Sequence, residues 1–360
     1  MSATFTGTGQ PPSDVDTARR FQTVFDEIGT KGLQMLPGPA RLDVLEYRTH
    51  PYSYIARVRI HRDGAATPAF VKLLRLKNES PSHREAMQRR VLNEFDATLR
   101  VSRGFENHAG VIALRPLGCL PDHFALVTAE VDGEPLSHLL ERDAAWNATP
   151  DHLDALRGAL SKAGSWLRRF QSLQPSTNVV ARERLLEYLD IRLKRLVRQP
   201  KARFSEADRT SVLHYAEAKG RLVPDAELSE VWTHSDFGPS NVLVNGGTVT
   251  VIDFAMAHGW TIFNDVARMY TQLEWFSAKP KFRPTTIRAL QQALLAGFDP
   301  HLTEERPLFE LMVLQHRINH FLASVERGEG VLSRIYNWHL ARRDRAWVRG
   351  RTIAMTASVR

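Results

Sequence analysis

Three oxygen-bearing side chains, Asp236, Asn241 and Asp253, fall in the stretch VWTHSDFGPSNVLVNGGTVTVIDF, residues 231–254, with His234 just ahead of them. Hard divalent cations take oxygen ligands, and Mg²⁺ in phosphate chemistry uses one or two protein side chains besides phosphates and water. Asn241 and Asp253 suit that role. Asp236 is then left to orient an attacking hydroxyl and accept its proton. Taken singly, an aspartate in a loop is usually a turn or a helix cap, and a lone histidine is more often a satisfied structural group. Order and spacing together argue for chemistry.

The elements around these residues must bring them together. Val242 and Val244, then Val249 and Val251, alternate on either side of Asn245-Gly246-Gly247, a strong hairpin signal because glycine accepts the positive φ such turns require. The open ends of that hairpin carry Asn241 and Asp253, which it is expected to bring close.

His234-x-Asp236-x4-Asn241, followed after the hairpin by Ile252-Asp253-Phe254, closely resembles the catalytic loop of the aminoglycoside phosphotransferase and choline kinase superfamily, which shares the protein-kinase fold. The resemblance implies that Asp236 is the catalytic base, that Asn241 and Asp253 are metal ligands, and that His234 braces the loop. Phe263-Asn264-Asp265-Val266-Ala267 resembles the family's aromatic-x-Asp-hydrophobic-Ala signature, in which Asp265 would fix the loop through backbone hydrogen bonds. Phe70-Val71-Lys72-Leu73 resembles the strand lysine that contacts the α- and β-phosphates of the nucleotide.

Two acids in the following helix, expected from about Ser82 to Val101, compete to pair with Lys72. Ser82-x-x-Glu85 reads as a capping box, which gives Glu85 a local task. Glu94 lies at the edge of the Met87, Val91, Phe95 and Thr98 stripe and is the better partner. The family's phosphate-covering loop should be Arg48–Tyr54, which has no glycine, and Ser53 is the candidate phosphate contact there. Asp132-Gly133-Glu134-Pro135-Leu136 resembles the family's hinge, so backbone groups of Thr128, Glu130 and Val131 are expected at the adenine edge.

In chain order, residues 1–12 read as a loose tail, and a helix from Ser13 is expected to end at Gly29 with Gly32. Five strand-like runs follow: an imperfect alternation over Leu42, Val44, Leu45 and Tyr47, a clean one from Tyr54 to Ile60, then Ala69–Leu76, Val111–Gly118 and His123–Val131. The remainder is helical, with Pro150 opening a long helix after Thr149, then Arg182–Val197, Ser205–Lys219, Val266–Phe276, Thr285–Phe298, Arg306–Val325 and Val331–Val348. The expected fold is α+β and bilobal like a protein kinase. A lobe of residues 1–131, with a five-stranded antiparallel sheet plus helix, would bind nucleotide, and a larger helical lobe, 132–360, would hold the catalytic loop and the acceptor. Glu274, Trp275, His316, His320, Trp338 and His339 are candidates for an acceptor pocket, though aromatic residues at helical spacing are more often core.

The 360 residues carry 43% hydrophobic and 24% charged side chains, an ordinary soluble composition with a net charge of +8. A single cysteine, Cys119, excludes an intrachain disulfide and is compatible with a reducing cytoplasm. No membrane span is expected. The chain end is basic, with Arg342, Arg343, Arg345, Arg349, Arg351 and Arg360 against Asp344, which disfavours a polycationic acceptor and fits a neutral or anionic small molecule or glycan. The leading reading is a phosphotransferase using ATP and Mg²⁺. The alternative is a catalytically silent kinase-fold scaffold, which the glycine-free loop favours but which has no need of Lys72, Asp236, Asn241 and Asp253 together. A protein kinase is opposed by Asp253-Phe254-Ala255, and nucleic-acid binding by the lack of a recognisable module.

Overall fold

The computed structural model describes residues 14–78, 80–106, 108–326 and 331–358, without the side chains of 331–335 and 353–358. The expected tail at 1–12, Ser13 and Arg360 lie outside the described residues. The chain divides into two compact units, one built from the residues through Glu134 plus Leu243–Ala257, the other from Pro135–Val242 and the residues from His258 onward.

The first unit opens with helix α1 (Val15–Lys31), which buries Phe21, Val24, Phe25 and Ile28 at helical spacing. Gly29 continues the helix rather than ending it, and Gly32 is its cap. Strands β1 (Gly32–Leu33) and β2 (Leu36–Pro37) form a small ladder. Then come β3 (Arg41–Thr49), β4 (Ser53–Arg62), β5 (Ala65–Leu74), β6 (Pro116–Leu120) and β7 (Ala125–Ala129). They form one antiparallel sheet in the order β3-β4-β5-β7-β6.

The irregular alternation near Val44 has a cause, because β3 slips register against β4 between Val44 and Glu46, as a bulge does. The run expected from Val111 is not a strand before Pro116. Val111 makes only an isolated parallel bridge to Val249, and the 116–118 pairing is itself irregular because Pro116 has no N–H to give the ladder.

Side chains alternate across a strand, and that decides where Lys72 points. Ala69, Val71 and Leu73 of β5 join the core that also holds Phe21 and Phe25 of α1. Lys72 therefore faces the other side of the sheet, where Leu74, Phe124 and Leu126 pack with Val91 of helix α2 (Pro81–Gly104). The capping box expected at Ser82 and Glu85 does not form. Ser80 is the cap and accepts from the His83 N–H, because Pro81 occupies the first helical position, where a missing N–H costs nothing.

In the second unit, a short strand β8 (Glu134–Pro135) enters α3 (Leu136–Asp143). Helix α4 (Pro150–Ser172) has Thr149 as its cap and Pro150 at its start. Helices α5 (Arg182–Val197) and α6 (Glu206–Arg221) follow, the latter with a capping box of Ser205 and Asp208. Strand β9 (Val231–Thr233) precedes the hairpin β10 (Val242–Asn245) and β11 (Thr248–Val251), which from Leu243 on belongs to the first unit and whose Gly246 and Gly247 sit at φ +51° and +84°. Strand β12 (His258–Trp260) returns antiparallel to β9. Helices α7 (Asn264–Phe276), α8 (Pro284–Phe298), α9 (Pro307–Glu326) and α10 (Val331–Ser358) complete the chain. No helix of the described residues is long and apolar enough to cross a membrane.

The arginines of α10 are not a loose basic face. Arg343 reaches Glu274 and Ser277, Arg351 pairs with Glu310 at 2.9 Å, and Arg345 donates to the Ala202 carbonyl. The sign of this segment is thus largely spent on neighbouring helices and says little about an acceptor. Arg349 forks onto both oxygens of Asp208 at 2.7 Å and holds that carboxyl down at about 2, against an ordinary 3.8. A depressed acid stabilises the fold above its unfolded pKa and loses that contribution as pH falls through the folded one. With the arginine partly exposed, the pair is worth about 1 kcal/mol. Asp208→Asn should lower unfolding free energy by that amount at pH 7 in urea titrations and make no difference near pH 2.

Candidate active site

The loop after β9 is fixed from beneath by one buried carboxylate. Asp265, in the first turn of α7, accepts the backbone N–H of His234 at 2.6 Å and that of Ser235 at 2.8 Å. Burial pushes its pKa up, and those two N–H groups with the nearby His234 ring and Arg268 pull against it. The Asn264 side-chain amide also donates to Asp265; its oxygen accepts from Gln315 of α9 at 3.2 Å, and the Asn264 backbone carbonyl lies 2.8 Å from His316 Nε2 of the same helix. His234 is buried, its ring close to Phe170 and Phe237, and its Nδ1 accepts the Asp236 N–H at 3.3 Å. Phe170 of α4 stacks on Trp232 of β9 with ring centres 4.4 Å apart, so α4 floors the loop as α7 anchors it.

Asp236 is two-fifths exposed and engaged at both oxygens. Oδ1 is paired with the Arg268 guanidinium, and Oδ2 accepts from Asn241 Nδ2 at 3.2 Å. Asn241 Nδ2 also donates to the Asp236 carbonyl at 2.9 Å, which turns the amide oxygen of Asn241 away as an available hard donor.

In the first unit, Lys72 Nζ lies 2.8 Å from Glu94 Oε1 and 2.9 Å from Asp253 Oδ1. Burial alone would pull the ammonium's pKa down, but the two carboxylates more than offset it and hold the lysine charged. Glu94, 4% exposed, is pushed up by burial, with Lys72 acting against the shift. Asp253 sits at φ +66°, a left-handed conformation costly for a non-glycine residue and common where function over-determines the backbone. Of the two acids that the sequence offers Lys72, Glu94 meets it, and Glu85 instead lies 3.9 Å from Arg89 on the exposed side of α2.

A model of the phosphotransferase enzyme family (APH) matches residues 46–308. The chain belongs to that family. A solved structure of aminoglycoside phosphotransferase APH(4)-Ia, a thermostable mutant in ternary complex with AMP-PNP and hygromycin B, is similar at 15% identity and a TM-score of 0.52, over 89% of this chain and 95% of that one. Aminoglycoside phosphotransferase APH(2'')-Ib, ADP-bound, is similar at 12% identity and a TM-score of 0.51, over 90% and 96%. At such identities the likeness is one of fold, and it bears out the α+β, protein-kinase-like class expected from the motifs. A search of curated protein sequences returns no match.

Ser53, Thr128, Glu130 and Val131 of this phosphotransferase-family chain occupy the sheet and its exit. Ser53 is buried at the start of β4, and its carbonyl accepts the His50 N–H at 2.9 Å, closing a tight turn where a longer phosphate-covering loop was expected. Thr128 is paired in β7, the Glu130 N–H donates to the Pro68 carbonyl, and the Glu130 carboxylate binds Arg57 at 2.8 Å. The six candidate acceptor residues do not all converge, although Trp275 and His320 meet. His316 is buried and driven down to about 3 by burial and by Arg268, His320 binds Asp344 at 2.5 Å and stacks on Trp275, and Trp338 and His339 are exposed. Glu274 alone among them lines a cavity of about 570 Å³ beside Tyr270, Arg288 and Trp347, and none of that cavity's walls comes from the 233–241 loop.

Three residues escaped the motif reading. Arg268 and Gln272 lie on the face of α7 that carries Asp265, and a Cβ at Gly238 would meet the Gln272 Oε1 at 2.4 Å. Ser235 stands at φ +63°, with its Oγ 2.9 Å from both Thr233 Oγ1 and His258 Nδ1. Their sequence signals are weak, since an arginine in an amphipathic helix reads as solvated and a serine in a loop as a turn. Left-handed backbone costs a non-glycine residue about 1–2 kcal/mol, which the Ser235 hydroxyl bonds oppose. Ser235→Gly should therefore unfold within about 0.5 kcal/mol of the wild type, whereas Ser235→Ala, which keeps the strain and loses the bonds, should be weaker by about 1–2 kcal/mol. Equal stability of the two variants in urea would contradict that balance.

Proposed function

We propose that this chain transfers the γ-phosphate of ATP to a hydroxyl of a small molecule or glycan. The observation that carries the reading is the meeting of Lys72, Glu94 and Asp253, since a lysine drawn onto two acids from distant parts of the chain is costly to bury without a task. Membership of the phosphotransferase family supports it.

In this reading Lys72, aimed by Glu94, holds the α- and β-phosphates, with Ser53 close to the phosphate-covering turn. Adenine reads backbone in the 128–131 stretch. The Glu130 N–H is already on Pro68 and the Ala129 N–H on Arg115, and the Val131 N–H would serve as the adenine's donor there. Asn241 and Asp253 would hold Mg²⁺, and an amide oxygen with a carboxylate is a fitting hard donor set. When bound, the metal neutralises charge on the transferring phosphate. His234 and Asp265 keep the loop in place while Asp236 orients the acceptor hydroxyl and takes its proton.

The unit that contains Lys72 would be the nucleotide side, and the helical unit the acceptor side. A neutral or anionic acceptor accords with the net charge of +8, and a cytoplasmic setting with the supply of ATP. Asp236→Asn should cut ATP turnover by at least about 10²-fold, in keeping with general-base contributions. Its affinity for Mg-ATP, measured by titration calorimetry, should stay within twofold of wild type. Undiminished ATP consumption in that variant would refute the assignment.

A further inference from the structure

Arg268 has no place in the motifs, yet it makes an ion pair with the carboxylate proposed to take the proton. We infer that Arg268 is a positioning residue that holds the Asp236 carboxylate in its working orientation, and so sets turnover rather than nucleotide affinity. The inference rests on the proposed role of Asp236 as base.

Helix geometry is the first reason. Residues three apart lie on one face, so Asp265 and Arg268 present a carboxylate and a guanidinium to the same loop from consecutive turns of α7. Asp265 fixes the backbone at His234 and Ser235, and Arg268 fixes the side chain that follows. One rigid element thereby places both the main chain and the reactive group.

The second reason is the saturation pattern of the carboxylate. Asp236 Oδ1 takes Arg268 and Oδ2 takes Asn241, so rotation about its last torsion would break one bond or the other. Each carboxylate oxygen has two lone-pair directions, and one on each is left for an incoming hydroxyl.

Arg268 itself is well seated. Its Nε is buried without a hydrogen-bond partner among the described residues, and burial together with the Arg268 charge holds the neighbouring His316 neutral. The pair is 28% and 40% exposed, and ion pairs that open to water add little to stability. Loss of Arg268 should thus leave the fold intact and show itself in the chemistry.

The test uses the full chain with Mg-ATP and water as the acceptor, read as release of inorganic phosphate, with a thermal melt of each variant. Arg268→Ala should lower kcat by about 10²-fold, the scale of misplacing a reacting group by about 1 Å, with KM for ATP within twofold and an unchanged melt. Arg268→Lys, which keeps the charge but not the fork, should recover at least a tenth of wild-type kcat. Wild-type kcat in Arg268→Ala, alongside an inactive Asp236→Asn, would overturn this inference alone. A fall in kcat with a matching loss of melting temperature and no rescue by lysine would overturn it in favour of a structural role. An active Asp236→Asn, or a wild type without turnover, would remove the underlying base assignment and this inference with it.

Discussion

The structure of the helical unit depends on a single buried carboxylate that has backbone rather than a cation for its main partners. The loop that leaves β9 gives up its sheet bonds at His234, and two consecutive amides would be stranded in a buried place if Asp265 did not accept them. Asp265 can do so only because α7 begins there and because Asn264 beside it is clamped by Gln315 and His316 of α9. A shift of α9 would pass through that amide to the loop. The left-handed turn at Ser235 is the local result, since two adjacent N–H groups must point at one carboxylate.

In the sheet unit the corresponding constraint is a charge. Two-residue alternation sends Lys72 away from the α1 core and toward α2, where Val91 and Glu94 sit one turn apart on the buried stripe. Removing one member of such a buried group typically costs about 3–5 kcal/mol, because the remaining ion is left without compensation. Sheet, helix and the segment after β11 are tied together by electrostatics as well as by apolar packing.

Much of this was legible in the sequence where a local rule has one outcome. Asn245-Gly246-Gly247 turns the hairpin, Thr149-Pro150 starts α4, and the choice of Glu94 over Glu85 follows from which acid lies beside the apolar stripe. Where two local rules compete, the sequence misleads. Ser80 and Ser82 both flank the start of α2, and Pro81 decides between them. Gly29 and Gly32 both can stop α1, and only the second does. The strand expected from Val111 begins only at Pro116, and the basic end of the chain reads as a hint about the acceptor although Arg349 and Arg351 bind acids from helices far away in sequence. Arg268 belongs to that last kind, because an ion pair across thirty-two positions leaves no local pattern.

The central claim is the proposed transfer of a phosphoryl group from ATP to a hydroxyl acceptor. It is tested most directly by supplying ATP labelled at the γ-phosphate with ¹⁸O, together with Mg²⁺ and a panel of sugars, glycans and other hydroxyl compounds, and weighing the products by mass spectrometry. The account predicts a phosphate ester that carries the label, formed one for one with ADP. Tight nucleotide binding with neither ester nor ADP across the panel would contradict it and leave a kinase-fold scaffold in its place.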